Sequence, residues 1–216
     1  QYCKAVVAIT SNEDVNLKIS AVARLLNPDI RILTMSKVDV FEETLAALGG
    51  EVHIVDAFKT FAKVLGGCIN NPAFYALNNW LVGDKGATLE SYVHPPVGDW
   101  IICGYGRMGM EANHVLSMNG VKTAVIDPHS RKKEEEIETY IEGGVNANTL
   151  TQAGIENAVG LLAAANDDGQ NLSVLLNARS LNPNLFTIVR QNSHQNELAF
   201  EKANADMIMQ PTLVTA

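Results

Sequence analysis

Three glycines at fixed spacing carry the most specific chemistry in this sequence. They sit in Gly104-Tyr105-Gly106-Arg107-Met108-Gly109, a G-x-G-x-x-G run that follows the apolar stretch 100–103 and lies 23 residues ahead of Asp127. A strand before the run, a helix opening within it and an acid ending the next strand are the context that a dinucleotide fingerprint requires. Gly104 is expected to make the tight turn, Gly106 to let backbone N–H groups approach a pyrophosphate, and Gly109 to let the helix lie close on the sheet. The helix N-terminus adds roughly half a positive charge toward the phosphates. Asp127, followed by Pro128, is expected to accept hydrogen bonds from adenosine ribose hydroxyls. A carboxylate there repels a 2′-phosphate and so favours NAD or another adenine ligand over NADP. The competing reading is a glycine-tolerant turn in a sheet that binds nothing.

Other residues converge on the same place. The apolar run 159–164 ends at Ala164-Ala165 and leads into Asn166-Asp167-Asp168. Its end is expected beside the glycine loop, where strand order switches, with backbone groups lining the base or ribose. Asn166-Asp167-Asp168 reads equally well as a helix cap. Arg190 ends a further strand and has two readings, a bidentate phosphate ligand or a surface ion pair. Catalytic machinery is not legible. His53, His94, His114, His129 and His194 are scattered, and no Tyr-x-x-x-Lys pair, P-loop, HExxH or G-x-S-x-G occurs. A nucleotide pocket without chemistry around it points to sensing rather than turnover.

Composition narrows the class. The chain has 216 residues, 47% of them hydrophobic, which suits one or two globular domains. A formal net charge of −8 repels phosphate backbones and argues against nucleic-acid binding. Cys3, Cys68 and Cys103 form no CxxC, so neither a disulfide framework nor a zinc cluster is expected. No apolar run approaches the ~18 residues of a membrane helix.

The elements that must position the site are revealed by an internal repeat. Residues 14–28 (DVNLKISAVARLLNP) and 169–183 (GQNLSVLLNARSLNP) share seven identities at an offset of 155: Asn16, Leu17, Ala23, Arg24, Leu26, Asn27 and Pro28 recur as Asn171, Leu172, Ala178, Arg179, Leu181, Asn182 and Pro183. Apolar runs flank both copies, which indicates duplication. Only the second copy is preceded by a glycine motif, and Arg190 is matched by Met35 in the first. A half sheet would expose an edge strand. The natural protein is therefore expected to extend further at the N-terminus, and an intact mass equal to these 216 residues would refute that.

Hydrophobic periodicity predicts strands at 4–9, 30–35 and 52–55, helices at 15–26 and 39–48, and two amphipathic helices across 57–83 broken at Asn71-Pro72. Residues 84–98 read as a linker. Beyond it, strands are expected at 100–103, 121–126, 138–141, 159–164, 185–190 and 206–209. Helices are expected at 107–119, 130–136, 147–157, 171–181 and 194–203. Alternating β and α elements give an α/β chain with a Rossmann-like, doubly wound parallel sheet, preceded by a partial copy of the same fold and its crossover helices.

The runs VGDWIICGYGRMG, VKTAVID and NTLTQAGIENAVGLLAAANDDGQNLSVLLNARSLNPNLFTIVRQN, followed by ELAFEKANADMIMQP, resemble the RCK (TrkA-N) family. Its members are cytosolic modules that regulate potassium conductance. The resemblance covers 99–216, as a second RCK domain. Residues 1–83 resemble the C-terminal half of a first one with crossover helices. This tandem order is similar to the intracellular part of bacterial ligand-gated potassium channels.

The resemblance implies a Rossmann-like fold that binds NAD, ADP or ATP at Gly104, Gly106, Gly109 and Asp127. It also implies pairing through crossover helices at 57–68 and 72–83. The homo-oligomer would be a dimer, a tetramer or an octameric ring on the cytoplasmic face of a membrane, coupled to a potassium channel or transporter domain. One departure is visible: the family's Gly-Asp after the third strand is replaced by Glu142-Gly143-Gly144. The candidate ligand set is Gly104, Tyr105, Gly106, Arg107, Met108, Gly109, Asp127, Pro128, Ala164, Ala165 and Arg190, with no metal ligand and no catalytic residue assigned. The leading expectation is a nucleotide-binding regulatory module. The alternatives are a soluble NAD-dependent oxidoreductase and an interaction scaffold with a vestigial pocket.

Overall fold

A computed structural model describes residues 3–10, 12–36, 52–71, 73–82, 93–129 and 137–210. The helices expected at 39–48 and 130–136, and most of the linker at 84–98, lie outside these residues. The described residues up to Thr60 form one compact unit and those from Phe61 to Gln210 a second.

The first unit is a parallel three-stranded sheet, β1 (Ala5–Ala8), β2 (Arg31–Met35) and β3 (Val52–Val55), in sequential order. Helix α1 (Glu13–Leu26) crosses from β1 to β2. Asn12 caps it by accepting the Val15 N–H at 3.1 Å, Glu13 and Asp14 favour its positive end, and it stops before Pro28.

Helices α2 (Ala57–Asn70) and α3 (Ala73–Val82) follow. The break is at Asn71, whose N–H closes α2 on the Gly67 carbonyl at 2.8 Å and whose side chain accepts the Ala73 N–H at 3.0 Å. Within the second unit, Asn70 of α2 donates to Asn119 at 2.9 Å, just beyond helix α4 (Arg107–Met118).

The second unit holds six parallel strands: β4 (Asp99–Cys103), β5 (Lys122–Asp127), β6 (Thr139–Glu142), β7 (Gly160–Ala163), β8 (Phe186–Arg190) and β9 (Met207–Met209). Their order is β6-β5-β4-β7-β8-β9, so the chain starts at the centre, runs to one edge, then returns past β4 to the other. That is the doubly wound order, with its switch point between β4 and β7. Central strands are buried on both faces, as parallel strands covered by helices must be. Ile101, Cys103, Ile126 and Val189 pack with Leu150, Val174, Leu175 and Phe200, the last four contributed by α5 (Ala147–Gln152), α6 (Asp168–Leu181) and α7 (Glu197–Lys202). Trp100 and Ile102 alternate to the opposite face and are also buried, together with Met108, Ala112 and Leu116 of α4.

Two elements end earlier than their periodicity predicts. Helix α5 stops at Gln152, not 157, because Gly154 takes a positive φ of 83° and its N–H bonds the Thr151 carbonyl. The helix expected at 194–203 divides into a 3₁₀ turn at His194–Asn196 and α7.

The repeat is visible in the hydrogen bonds. Asn16 accepts the Thr10 N–H and donates to the carbonyls of Thr10 and Met35; Asn171 accepts the Ala165 N–H and donates to the carbonyls of Ala165 and Arg190. The first unit therefore has the layout of β7-α6-β8-β9, the half without a glycine loop.

Candidate functional site: a glycine-lined groove at the switch point

β4 delivers the glycine run to the carboxyl end of the sheet. Gly104 continues the ladder by donating to the Ile126 carbonyl at 2.9 Å, then turns with φ of +98°, a conformation that favours glycine. The turn lies against β7: a Cβ on Gly104 would come within 3.2 Å of the Ala164 and Ala165 backbone. Gly109 is required by packing, since a Cβ there would stand 2.1 Å from the Gly104 carbonyl oxygen. Gly106 differs from both. Its φ and ψ of −73° and −169° are open to any residue, and among the described residues a Cβ there would meet nothing within 4 Å. Neither strain nor packing among the described residues calls for a glycine at 106. It stands at the α4 N-terminus as the N-cap residue and has no side chain to cap the first turn.

Asp127 ends β5 and is buried, and both of its oxygens accept backbone donors. Oδ2 takes the Tyr105 N–H at 2.6 Å and Oδ1 the His129 N–H at 2.9 Å. The acid thus fixes the glycine turn. Tyr105 and Met108 point inward. The Tyr105 ring meets Tyr140 edge-on at 6.2 Å and its hydroxyl accepts from Asn113, while Met108 is fully buried. These two residues offer a ligand only their backbone.

A cavity of about 320 Å³ opens beside the turn, at the low end of small-ligand pockets. Gly104, Pro128 and Ala165 line it together with Cys103, Gly144, Val145, Gln170 and Ser173. Burial holds the Cys103 thiol far above the ordinary cysteine range, so it is a neutral floor and not a nucleophile. Gly144, Val145, Gln170 and Ser173 are absent from the expected ligand set. The available signal was the polar pair Gln170 and Ser173, one helical turn apart on α6.

Two cations stand near the turn and near each other. Arg107 opens α4, and Arg190 ends β8 with Nη1 donating to Asn166 Oδ1 at 2.6 Å. Burial lowers the Arg190 pKa, the nearby Arg107 charge lowers it further, and Asp168 opposes both. Two guanidinium groups near a helix N-terminus suit a polyanion. Asn166-Asp167-Asp168 divides its work: Asp167 caps α6 by accepting the Gln170 N–H at 2.8 Å, while Asp168 turns to the β8–α7 segment. Among the described residues no His, Cys, Asp and Glu group has metal-site geometry, and no helix is long and apolar enough to cross a membrane.

Comparison with known proteins gives the same outline. The chain is 28% identical to potassium channel protein 1 of Methanocaldococcus jannaschii over 121 residues, 53% of this chain and 36% of that one. It is 30% identical to a Trk system potassium uptake protein TrkA homolog of Pyrococcus horikoshii over 127 residues, 54% of this chain and 55% of that one. It therefore spans only about a third to a half of these relatives. Among solved structures, GsuK bound to ADP superposes over 98% of this chain and 49% of its own with a TM-score of 0.71 at 22% identity. The GsuK channel bound to NAD gives 0.69 at 18% identity, over 98% and 50%. At such identities the likeness is one of fold. The model of the TrkA-N domain matches residues 100–211, more than half of the sequence, and the chain belongs to the TrkA-N domain family.

Proposed function

We propose that the second unit binds an adenine nucleotide or NAD, and that the chain is a cytosolic gating module that uses this binding to control potassium flux. The observation that carries the reading is Gly106, a glycine that neither its conformation nor packing among the described residues demands, at the mouth of a helix N-terminus. Diphosphate oxygens placed there would accept hydrogen bonds from N–H groups at the start of α4. Arg107 and Arg190 would neutralise charge, Asp127 would hold ribose hydroxyls, and the cavity between Pro128, Ala165 and Gln170 would take the base. The GsuK structures, described as bound to ADP and to NAD, supply the same two ligand classes.

The cavity lining supports binding rather than turnover. Gln170, Ser173 and backbone groups can hydrogen-bond a ligand at constant protonation, and the Cys103 thiol stays neutral. A regulator works when its ligand binds two conformations unequally, the difference being the free energy that reaches the pore. In this reading residues 99–216 form the second, nucleotide-binding RCK domain, 84–98 the linker, and 1–83 the C-terminal half of a first RCK domain with crossover helices. The assembly is a homo-oligomer joined through α2 and α3, beneath a channel or transporter membrane domain on the cytoplasmic face. Support for pairing comes from α3, where Phe74, Leu77 and Trp80 are 37%, 47% and 48% exposed at helical spacing.

A thermal-shift titration with AMP, ADP, ATP, NAD and NADH tests the ligand reading. A ligand at a hundred times its Kd adds about 2.7 kcal/mol to stability. The melting temperature is expected to rise with at least one of these adenylates and not with NADP. No rise with any of them would contradict the proposal.

A further inference from the structure

Asp168 has an unusual set of partners for the first residue of a helix. Its neighbour Asp167 already caps α6, which leaves the Asp168 carboxylate for other work. Oδ1 accepts the Asn192 N–H at 2.7 Å and the Asn192 side-chain amide at 2.8 Å; Oδ2 accepts the Ser193 N–H at 3.0 Å and the Asn196 amide at 2.7 Å. All four donors belong to the segment that leaves β8 directly after Arg190. The side chain is 9% exposed, and these hydrogen bonds outweigh burial to hold its carboxyl below the ordinary range, so it is an anion at neutral pH. The segment is also tied forward, through Gln191 to Gln210 after β9.

The first copy of the repeat provides a natural comparison. At the same offset it carries Glu13 for Asp168, Lys37 for Asn192, Phe41 for Asn196 and Met35 for Arg190. The carboxylate anchor, its donors and the arginine are thus present together only in the copy that has a glycine loop.

We propose that Asp168 is a positioning residue for the phosphate-binding end of the site: it fixes the 192–196 segment and so sets Arg190 for the distal phosphate of a nucleoside diphosphate. The inference rests on the proposed adenylate site and adds to it the source of discrimination between diphosphate and shorter ligands. Without the anchor the segment is free to shift, and Arg190 loses its fixed approach. The adenosine end of the groove is built on Asp127 of β5 and on Gln170 of α6, whose N–H is held by Asp167.

The test is calorimetric titration of the whole 216-residue chain with ADP and AMP, in the parent, Asp168→Asn, Arg190→Gln and the double variant, with melting temperatures measured in parallel. The parent is expected to prefer ADP over AMP at least about tenfold. Arg190→Gln and Asp168→Asn should each reduce that preference to about threefold or less, and the double variant no further than Arg190→Gln alone. Asn196→Ala, which removes a single donor, should lower the preference in the same direction without unfolding the chain. Equal weakening of ADP and AMP by Asp168→Asn, or additive losses in the double variant, would overturn the positioning role. Failure of the parent to bind either nucleotide would overturn this proposal, and the ligand reading falls with it only if ATP, NAD and NADH also leave the melting temperature unchanged.

Discussion

Asn16 and Asn171 make the same three hydrogen bonds at positions 155 residues apart, each clamping the ends of two neighbouring parallel strands from inside a helix. Both are fully buried. Removing either side chain takes partners away from three backbone groups at once, at a cost of about 2–4 kcal/mol. The copies differ in consequence. Asn171 holds Ala165 and Arg190, two groups at the proposed ligand site, and Asn16 holds Thr10 and Met35. Asn171→Ala is expected to lower stability and weaken ADP binding. Asn16→Ala is expected to lower stability and leave the ADP affinity unchanged. Chemical denaturation and calorimetry on the two variants check this, and equal effects on ADP would contradict it.

The pair also shows what a sequence makes legible. Side chains that repeat with their flanks identify a repeated structure, so the duplication, the alternating β/α order and the glycine turn could all be read in advance. The strands β4, β7 and β8 are predominantly apolar runs bounded by turn residues, and they lie at or within a residue of their expected places. The walls of the cavity were harder to read, for a physical reason. Gln170 and Ser173 lie on a helix whose polar and apolar faces are weakly separated, and nothing in the sequence alone says which face meets the groove. Asp168 was hidden by its neighbour: two adjacent acids before a helix read as a cap, and only the fold shows that one caps while the other reaches 24 to 28 residues along the chain. Gly154 ended α5 early because one glycine with positive φ outweighs a continuing apolar period.

Gly109 is where helix and strand approach most closely. Gly109→Ala would place a methyl group 2.1 Å from the Gly104 carbonyl oxygen, and neither backbone can yield without moving α4 or the turn. The expected loss is about 3 kcal/mol or more, seen as a marked fall in the denaturation midpoint. Parent-like stability would show that the turn is looser than described.

Thiol reactivity provides an independent test of burial at the site. Cys3 is exposed, whereas burial pushes Cys68 up to about 11 and Cys103 further still. At pH 8 a thiol reagent should modify one cysteine per native chain rapidly, and all three after denaturation. Fast labelling of Cys103 in the native state would contradict the closed floor of the cavity.

Pairing through α3 predicts a change of mass. Trp80→Arg places a charge among Phe74, Leu77 and their counterparts in a second copy. Light scattering after gel filtration should then report the monomer mass where the parent reports a multiple of it. A monomeric parent, or a variant that still associates, would remove α3 from the account.

Gly106→Ala decides the central question most directly, because this substitution is compatible with the backbone and meets no described residue within 4 Å. At such a site alanine leaves stability unchanged or raises it by about 0.4–1 kcal/mol. Calorimetric titration with ADP is expected to show the affinity falling at least about thirtyfold while the melting temperature holds, since the methyl group occupies the path of the diphosphate to the α4 N–H groups. A variant that binds ADP as tightly as the parent would show that the phosphates do not lie at Gly106, and the site would have to be placed elsewhere.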